Sequence, residues 1–310
     1  MKSEEEVVVV LASESSLCVV HPHHPWIAPE LIVSHNIFHA SHIVPLKSPS
    51  LSAFFSFITS KIVVCVVPVH VTPSGIARWT SFLFDDAKAS GIVLMSDAVA
   101  ATFGAGCHAE RCIVVCVTER SMSLGVVEGG VTERFVTSAK GAISADLVQQ
   151  RKQQHELATK MNNETEQVVC DEDSQHLSSW FGWRRVGSPR SSLESLWNRL
   201  GVGHVESGRQ EEEMSSHASC LLVIGDQCSL PGVHDAIRVF VDSCECTTRV
   251  MPLSPFMKVG EVSIIPHLSL DFLGACIVAT SPAKDLMRFV VTAEEYAERG
   301  VDAAHWKFAQ

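Results

Sequence analysis

The fold is decided by the order of residues in Phe289-Val290-Val291-Thr292-Ala293-Glu294-Glu295-Tyr296-Ala297-Glu298-Arg299-Gly300, which continues to His305-Trp306-Lys307-Phe308. Upstream lies Leu222-Val223-Ile224-Gly225-Asp226-Gln227-Cys228-Ser229-Leu230-Pro231-Gly232, an apolar run followed by a glycine turn and a Pro-Gly pair. A third block is Ile92-Val93-Leu94-Met95-Ser96-Asp97-Ala98-Val99-Ala100-Ala101-Thr102-Phe103-Gly104-Ala105-Gly106, an apolar run and then a helical segment that ends in glycine. Apolar runs of strand length that alternate with helical segments predict an α/β fold.

The three blocks, in this order, resemble actin and the actin-related proteins. The stretch from Phe289 to Phe308 is similar to the closing segment of actin, and Leu222 to Gly232 is similar to its adenine-side loop. Ile92 to Gly106, followed by Cys112 to Val115 and Val126 to Gly129, resembles the centre of the actin fold. The resemblance implies an actin-like, two-lobed α/β fold of the actin/Hsp70 ATPase type, with reduced small lobes.

Composition and charge narrow the function classes. The chain has 310 residues, 46% of them hydrophobic and 19% charged, which predicts a globular protein with a substantial core. Its formal charge of −11 argues against direct binding of nucleic acid. The acidic start Met1–Glu6 is unlike a secretory signal, and no stretch has the roughly 20 apolar residues of a membrane helix. We therefore expect a cytoplasmic protein without membrane insertion.

The pattern along the chain divides it into three consecutive segments. Residues 1–141 are expected to form a first actin-like lobe whose small lobe, about 41–60, is truncated. Residues 142–217 are rich in Gln, Glu, Ser and Asn, which predicts a polar, partly flexible insert or reduced small lobe. Residues 218–310 are expected to hold the remainder of the second lobe and the C-terminal helices.

The resemblance implies two hairpins that would bind nucleotide phosphate through glycine backbone, each with an aspartate to orient a metal ion. Both hairpins lack these residues. The first has Leu11-Ala12-Ser13-Glu14-Ser15-Ser16, and the second has Cys116-Val117-Thr118-Glu119-Arg120. Side chains at such positions prevent the close approach of backbone to phosphate.

The water-orienting groups of an actin-type ATPase are also replaced. The position of its glutamine is taken by Asp97, that of its histidine by Met122 or Ser123, and Asp226 follows Gly225 in the third loop. Phosphoryl transfer depends on positioning and electrostatic stabilisation, so their loss predicts a pseudo-ATPase. We expect no catalytic or cofactor-binding residues, and ATP or ADP as a static ligand is disfavoured.

Metal and hydrolase sites are also disfavoured. The run His21-Pro22-His23-His24 has no further ligand at suitable spacing, and Cys244-Glu245-Cys246 lacks the paired spacing of a zinc site. No Gly-x-Ser-x-Gly motif is present for a serine hydrolase. The eleven cysteines, several of them within apolar runs, are typical of a reducing compartment.

The candidate site residues are therefore partner-binding ones. By motif position, Phe103, Gly106, Val278 and Phe289 correspond to the apolar groove at one end of actin, although all four are also compatible with an ordinary core. Trp180 and Trp183, in an aromatic and arginine-rich patch, are candidates for a protein contact or for anchoring the insert.

These residues favour a non-catalytic actin-related scaffold subunit. The leading hypothesis is a cytoskeletal subunit that docks on an actin-like filament end, as the pointed-end subunits of dynactin do, with actin or actin-related proteins as partners. Two alternatives stay open: a nuclear actin-related subunit of a chromatin-remodelling complex, and a nucleotide-binding actin-like ATPase.

Overall fold

A computed structural model of the chain gives the architecture. It describes residues 6–12, 16–20, 22, 31–34, 49–118, 121–138, 192–200, 218–225, 227–228, 233–243, 248–253 and 269–308. The architecture is mixed α/β with two sheets and helices, which confirms the predicted α/β class.

The described secondary structure follows the predicted alternation of strands and helices. The strands are β1 (Val7–Ala12), β2 (Ser16–Val20), β3 (Leu31–Ser34), β4 (Ile62–Val67), β5 (Gly91–Ser96), β6 (Cys112–Val117), β7 (Met122–Glu128), β8 (Val131–Ser138), β9 (Cys220–Ile224), β10 (Arg249–Val250) and β11 (Val291–Thr292). The helices are α1 (Pro49–Ile58), α2 (Pro73–Ser81), α3 (Asp97–Gly104), α4 (Ser192–Leu200), α5 (Val233–Ser243), α6 (Leu270–Ala279), α7 (Ala283–Leu286), α8 (Ala293–Arg299) and α9 (Asp302–Phe308). None of the helices in the described ranges has the length and apolar character of a membrane span.

The chain divides into two compact units, each discontinuous in sequence. Unit 1 comprises Met1–His108, Gly130–Thr132 and Ile265–Gln310, and unit 2 comprises Ala109–Gly129 and Glu133–Ile264. This division differs from the three consecutive segments expected from composition, because the C-terminal helices belong to the same unit as the N-terminal strands. Strand pairing over long sequence distances produces such a grouping, and composition does not report it.

The sheet of unit 1 has the strand order β11-β5-β4-β1-β2-β3. Strands β1, β2 and β3 form an antiparallel meander. Two short apolar runs in the sequence, Val7 to Val10 and Leu17 to Val20, predict the hairpin of β1 and β2, and the structure confirms it. Strand β4 pairs in parallel with both β1 and β5, and it is buried along its whole length. A continuous run of β-branched residues is typical of such a central strand, which is covered on both faces.

The sheet of unit 2 has the order β10-β9-β6-β7-β8. Strand β6 pairs antiparallel with β7 and in parallel with β9, and β9 pairs in parallel with β10. Among the described strands, the first five of each unit in chain order therefore occupy the same sheet positions, in the order 3-2-1-4-5. Each unit also has a helix between its third and fourth strands and another between its fourth and fifth. The sequence shows no repeat of fixed period that would reveal this repeated topology.

Helix α4 differs from the polar insert expected for residues 142–217. Its residues Leu193, Leu196, Trp197 and Leu200 are buried in the core of unit 2. These positions have the i, i+3, i+4, i+7 spacing of one helix face, which the surrounding polar composition obscured. The other residues of that segment lie outside the described ranges.

The expected truncation at about residues 41–60 coincides in part with helix α1. Phe54 and Ile58 of this helix are fully buried in a core cluster of unit 1. This short segment therefore contributes core packing to the unit.

Candidate partner-binding surface and strand-end sites

Helices α3 and α6 of unit 1 pack through glycine. A Cβ atom at Gly274 would lie 1.7 Å from the carbonyl oxygen of Ala100, and one at Gly104 would lie 2.0 Å from that of Leu270. Because residue 104 faces 270 and residue 100 faces 274, the two helices run antiparallel. Only glycine allows backbones to approach so closely, which fixes the positions of the side chains on both helices.

Phe103 and Gly106 lie at the C-terminal end of α3. The Phe103 ring is partly buried against a core cluster of unit 1 and stacks on His108, with ring centroids 4.7 Å apart and planes 6° from parallel. Gly106 has a φ of +71°, and a Cβ atom there would have no neighbour within 4 Å. Open space at Gly106 is compatible with a contact surface.

Val278 and Phe289 lie in the C-terminal part of unit 1. Val278, on α6, is partly buried against the same core cluster as Phe103. Phe289 follows α7 and is 52% exposed. Val278 is eight residues beyond Leu270, or about 12 Å along the helix at 1.5 Å per residue. Since Phe103 is adjacent in sequence to Gly104, which packs on Leu270, the structure places Phe103 and Val278 toward opposite ends of the helix pair.

Sequence reasoning missed the two apolar neighbours of these residues. Ile277 and Met287 are exposed large hydrophobic side chains, one position before Val278 and two before Phe289. A helix-face analysis of α6 would separate Ile277 from the buried Phe272, Ala275 and Cys276. We name Ile277, Met287 and Phe289 the C-terminal apolar residues. Trp180 and Trp183, the other candidates, lie outside the described residues.

Asp97, which follows the C-terminal end of β5, is hydrogen-bonded to the segment that follows the C-terminal end of β4. Its Oδ1 accepts hydrogen bonds from the backbone N–H of Val69, at 2.8 Å, and of Ala98, at 2.7 Å. The carboxylate is buried at the start of α3. In this position it satisfies backbone donors after β4 and at a helix N-terminus, where a negative charge is favourable.

Thr118 and Ser121, which follow β6 and precede β7 in unit 2, are hydrogen-bonded to each other. The Thr118 N–H donates to the Ser121 carbonyl at 2.9 Å, and the Ser121 N–H donates to Thr118 Oγ1 at 3.0 Å. The turn is thus closed by backbone and hydroxyl groups of its own flanking residues. Cys116 and Val117, which stand in the expected phosphate-binding segment, belong to the buried strand β6.

The end of β9 packs against the end of β6. Gly225 has a φ of +103°, and a Cβ atom there would lie 2.2 Å from the Val117 carbonyl oxygen. That oxygen accepts a hydrogen bond from the Gln227 N–H at 3.1 Å. A glycine is therefore required at 225 by both conformation and space. The positions 13–15, 119, 120 and 226 lie outside the described residues.

Asp271, in the first turn of α6, is a buried carboxyl group that sequence reasoning missed. Burial raises its pKa to about 6, and hydrogen bonds from Ser269 and from backbone N–H groups oppose that rise. The Ser269 hydroxyl donates to the carboxylate directly. The sequence signal was an acidic residue at a helix start, which is usually exposed.

The structure thus has two β-sheets, a helix pair that packs through glycine and the exposed C-terminal apolar residues. Neither a protein-family model nor a curated protein matches this chain.

Proposed function

We propose that this chain is a non-catalytic scaffold subunit of the actin-related type. It docks through its C-terminal segment on the end of an actin-like filament or inside a large complex, in the manner of a dynactin pointed-end subunit. The observation that carries the proposal is the repeated strand order 3-2-1-4-5 in the two units. An actin-like fold is expected to contain two similar β-α lobes.

The arrangement of the strand ends supports the absence of catalysis. An actin-type site needs glycine-rich turns whose backbone N–H groups point at phosphate. Here the β6–β7 turn is closed by Thr118 and Ser121. Asp97, at the position of a water-orienting glutamine, accepts backbone hydrogen bonds instead.

The C-terminal apolar residues support docking. Ile277, Met287 and Phe289 expose large side chains within a stretch of 13 residues, 277–289. Large apolar side chains are the type that dominates interface energies when a partner covers them. A partner with a complementary apolar helix or loop, such as actin or an actin-related protein, suits these exposed side chains. If the chain carries only one such surface, it joins a filament end without extending it.

The experiment compares Phe289→Ala with Phe135→Ala in affinity purification from the native cells. Both phenylalanines are exposed, at 52% and 45%, but Phe135 lies on β8, away from the C-terminal segment in sequence. We expect the wild type and Phe135→Ala to retain actin-related or dynactin subunits, and Phe289→Ala to lose them by about tenfold, the effect of a contact worth roughly 1.4 kcal/mol.

Two results would overturn the proposal. A chromatin-remodelling ATPase as the retained partner would replace the filament-end function with a nuclear one. One nucleotide bound per chain and hydrolysed by the purified complex would show that the chain is an ATPase.

A further inference from the structure

We propose that Cys112 and Cys220 of unit 2 form a disulfide when the chain meets a two-electron oxidant such as hydrogen peroxide, and that this pair is a reversible modification site. The proposal goes beyond the scaffold function and does not depend on it. It rests on the geometry of two neighbouring strands.

The two cysteines face each other across a parallel strand pair. Cys112 is the first residue of β6 and Cys220 the first residue of β9, and they are register partners. Neighbouring strands lie about 4.8 Å apart, which is within the Cα–Cα range of disulfides. The two Sγ atoms are 3.3 Å apart, with the Cys220 thiol donating to the Cys112 sulfur. A disulfide requires this separation to shorten to about 2.05 Å.

Both cysteines of the pair are buried, but not equally. Both residues stand at strand starts, preceded by Arg111 and Ser219, which belong to connecting segments. Cys220 retains 5% of its accessible surface and Cys112 none. Within the pair, we assign Cys220 as the thiol that meets the oxidant first and Cys112 as the resolving thiol. The Cys107 sulfur lies within 4.8 Å of both, so a link from Cys107 to either cysteine is the competing product.

Hydrogen peroxide is the only co-reactant that this oxidation needs. The Cys220 thiolate attacks a peroxide oxygen, so that an S–O bond forms, the O–O bond breaks, and the departing hydroxide takes a proton to become water. The Cys112 thiolate then attacks the Cys220 sulfenic sulfur, so that the S–S bond forms, the S–O bond breaks and a second water leaves. Two thiols lose two electrons and two protons, and peroxide is reduced to two waters.

The cross-link would join residues 108 positions apart in the chain. It ties β6 to β9 and closes a loop that contains β7, β8 and α4. A bond across so long a loop restricts the unfolded chain strongly, so the oxidised form should unfold at higher urea concentration than the reduced form.

The test oxidises the reduced full chain with hydrogen peroxide, alkylates the remaining thiols under denaturing conditions and maps the peptides by mass spectrometry. We expect the alkylated thiols to fall from 11 to 9 (11 − 2), a linked peptide pair containing Cys112 and Cys220, and reversal by dithiothreitol. Cys65→Ala is the matched control, a buried strand cysteine whose removal should leave the linked pair unchanged.

The variants Cys112→Ala and Cys220→Ala should each abolish the linked pair and the urea shift. Recovery of both wild-type cysteines as separate alkylated peptides, or linked to other cysteines, would overturn the proposal. Because that result comes from the wild-type chain, it decides the question even if a variant does not fold.

Discussion

Substitution of Gly274 by alanine tests the helix packing of unit 1. The new Cβ would lie 1.7 Å from the Ala100 carbonyl oxygen, whereas ordinary contacts begin at 3.4 Å, so helices α3 and α6 must separate by about 1.7 Å (3.4 − 1.7). A gap of 0.5–1 Å already forfeits a quarter to a half of the dispersion attraction between packed atoms. Most of the contact along this helix pair would be lost.

The expected loss in unfolding free energy of unit 1 is about 3 kcal/mol. Overpacking a core costs about 1–3 kcal/mol, and more where backbone must move. The higher helix propensity of alanine returns at most about 1 kcal/mol. Since the backbone of α6 fixes the Cβ position and the atom that it meets belongs to the backbone of α3, no side-chain rotation can relieve the clash.

The measurement is a urea titration read by amide hydrogen exchange of peptides from β4, the central strand of unit 1. This local signal is needed because a chain of two units is not expected to unfold in one step. Gly75→Ala is the control: its Cβ would meet the Val71 Cγ2 methyl at 2.7 Å, and that methyl can shift. An unfolding free energy for Gly274→Ala equal to that of the wild type would refute the close packing of α3 and α6.

Three further predictions concern a buried acid, a core helix and the single tyrosine. Asp271 has a pKa of about 6 in the folded state against an ordinary 3.8, so the folded state binds the proton more tightly and stability rises as the pH falls from about 6 to about 4. In urea unfolding, Asp271→Asn should therefore be more stable than the wild type by up to about 3 kcal/mol at pH 7.5, and this difference should shrink as the pH falls through 6. A difference that stays constant with pH would contradict the raised pKa of Asp271. Leu196→Ala should cost about 2–5 kcal/mol because Leu196 is buried in the core of unit 2, whereas Ser195→Ala should change the denaturation midpoint little, and equal effects would argue against α4 as a core helix. Tyr296 is held above its usual pKa by burial and by its hydrogen bond to Asp85 at 2.6 Å; Asp85→Asn should lower that pKa in an ultraviolet titration of the only tyrosine, and an unchanged curve would exclude the contact.

Much of the local structure could be predicted from sequence because it depends on neighbouring residues. The β-branched run of β4 specifies a buried strand wherever it is placed, and the start and end of α3 follow from Ser96 as N-cap and from Gly106 in the left-handed region. The apolar run Cys112–Val117 predicts a strand with the bounds of β6, since Arg111 and Thr118 on either side are polar.

The candidate site was predictable only in part. Gly104 and Gly274 stand within recognisable motifs, yet the two glycines are 170 residues apart in the chain (274 − 104), and no local pattern pairs their helices. Helical spacing separates Ile277 from Phe272, Ala275 and Cys276, but it does not say which of the two sides of α6 faces the core. Exposure depends on which surface of α6 meets α3, and that is set by the glycine contact.

The sequence by itself determined the kinds of elements, the hairpin of β1 and β2 and the absence of glycine from the expected phosphate turns, because each depends on local conformational preference and side-chain size. Tertiary structure alone decided the strand order 3-2-1-4-5 in both units, the grouping of the C-terminal helices with the N-terminal strands, and the approach of Cys112 to Cys220. These features arise from pairing between distant segments, where many registers satisfy local preference and only the packing of the whole core selects one.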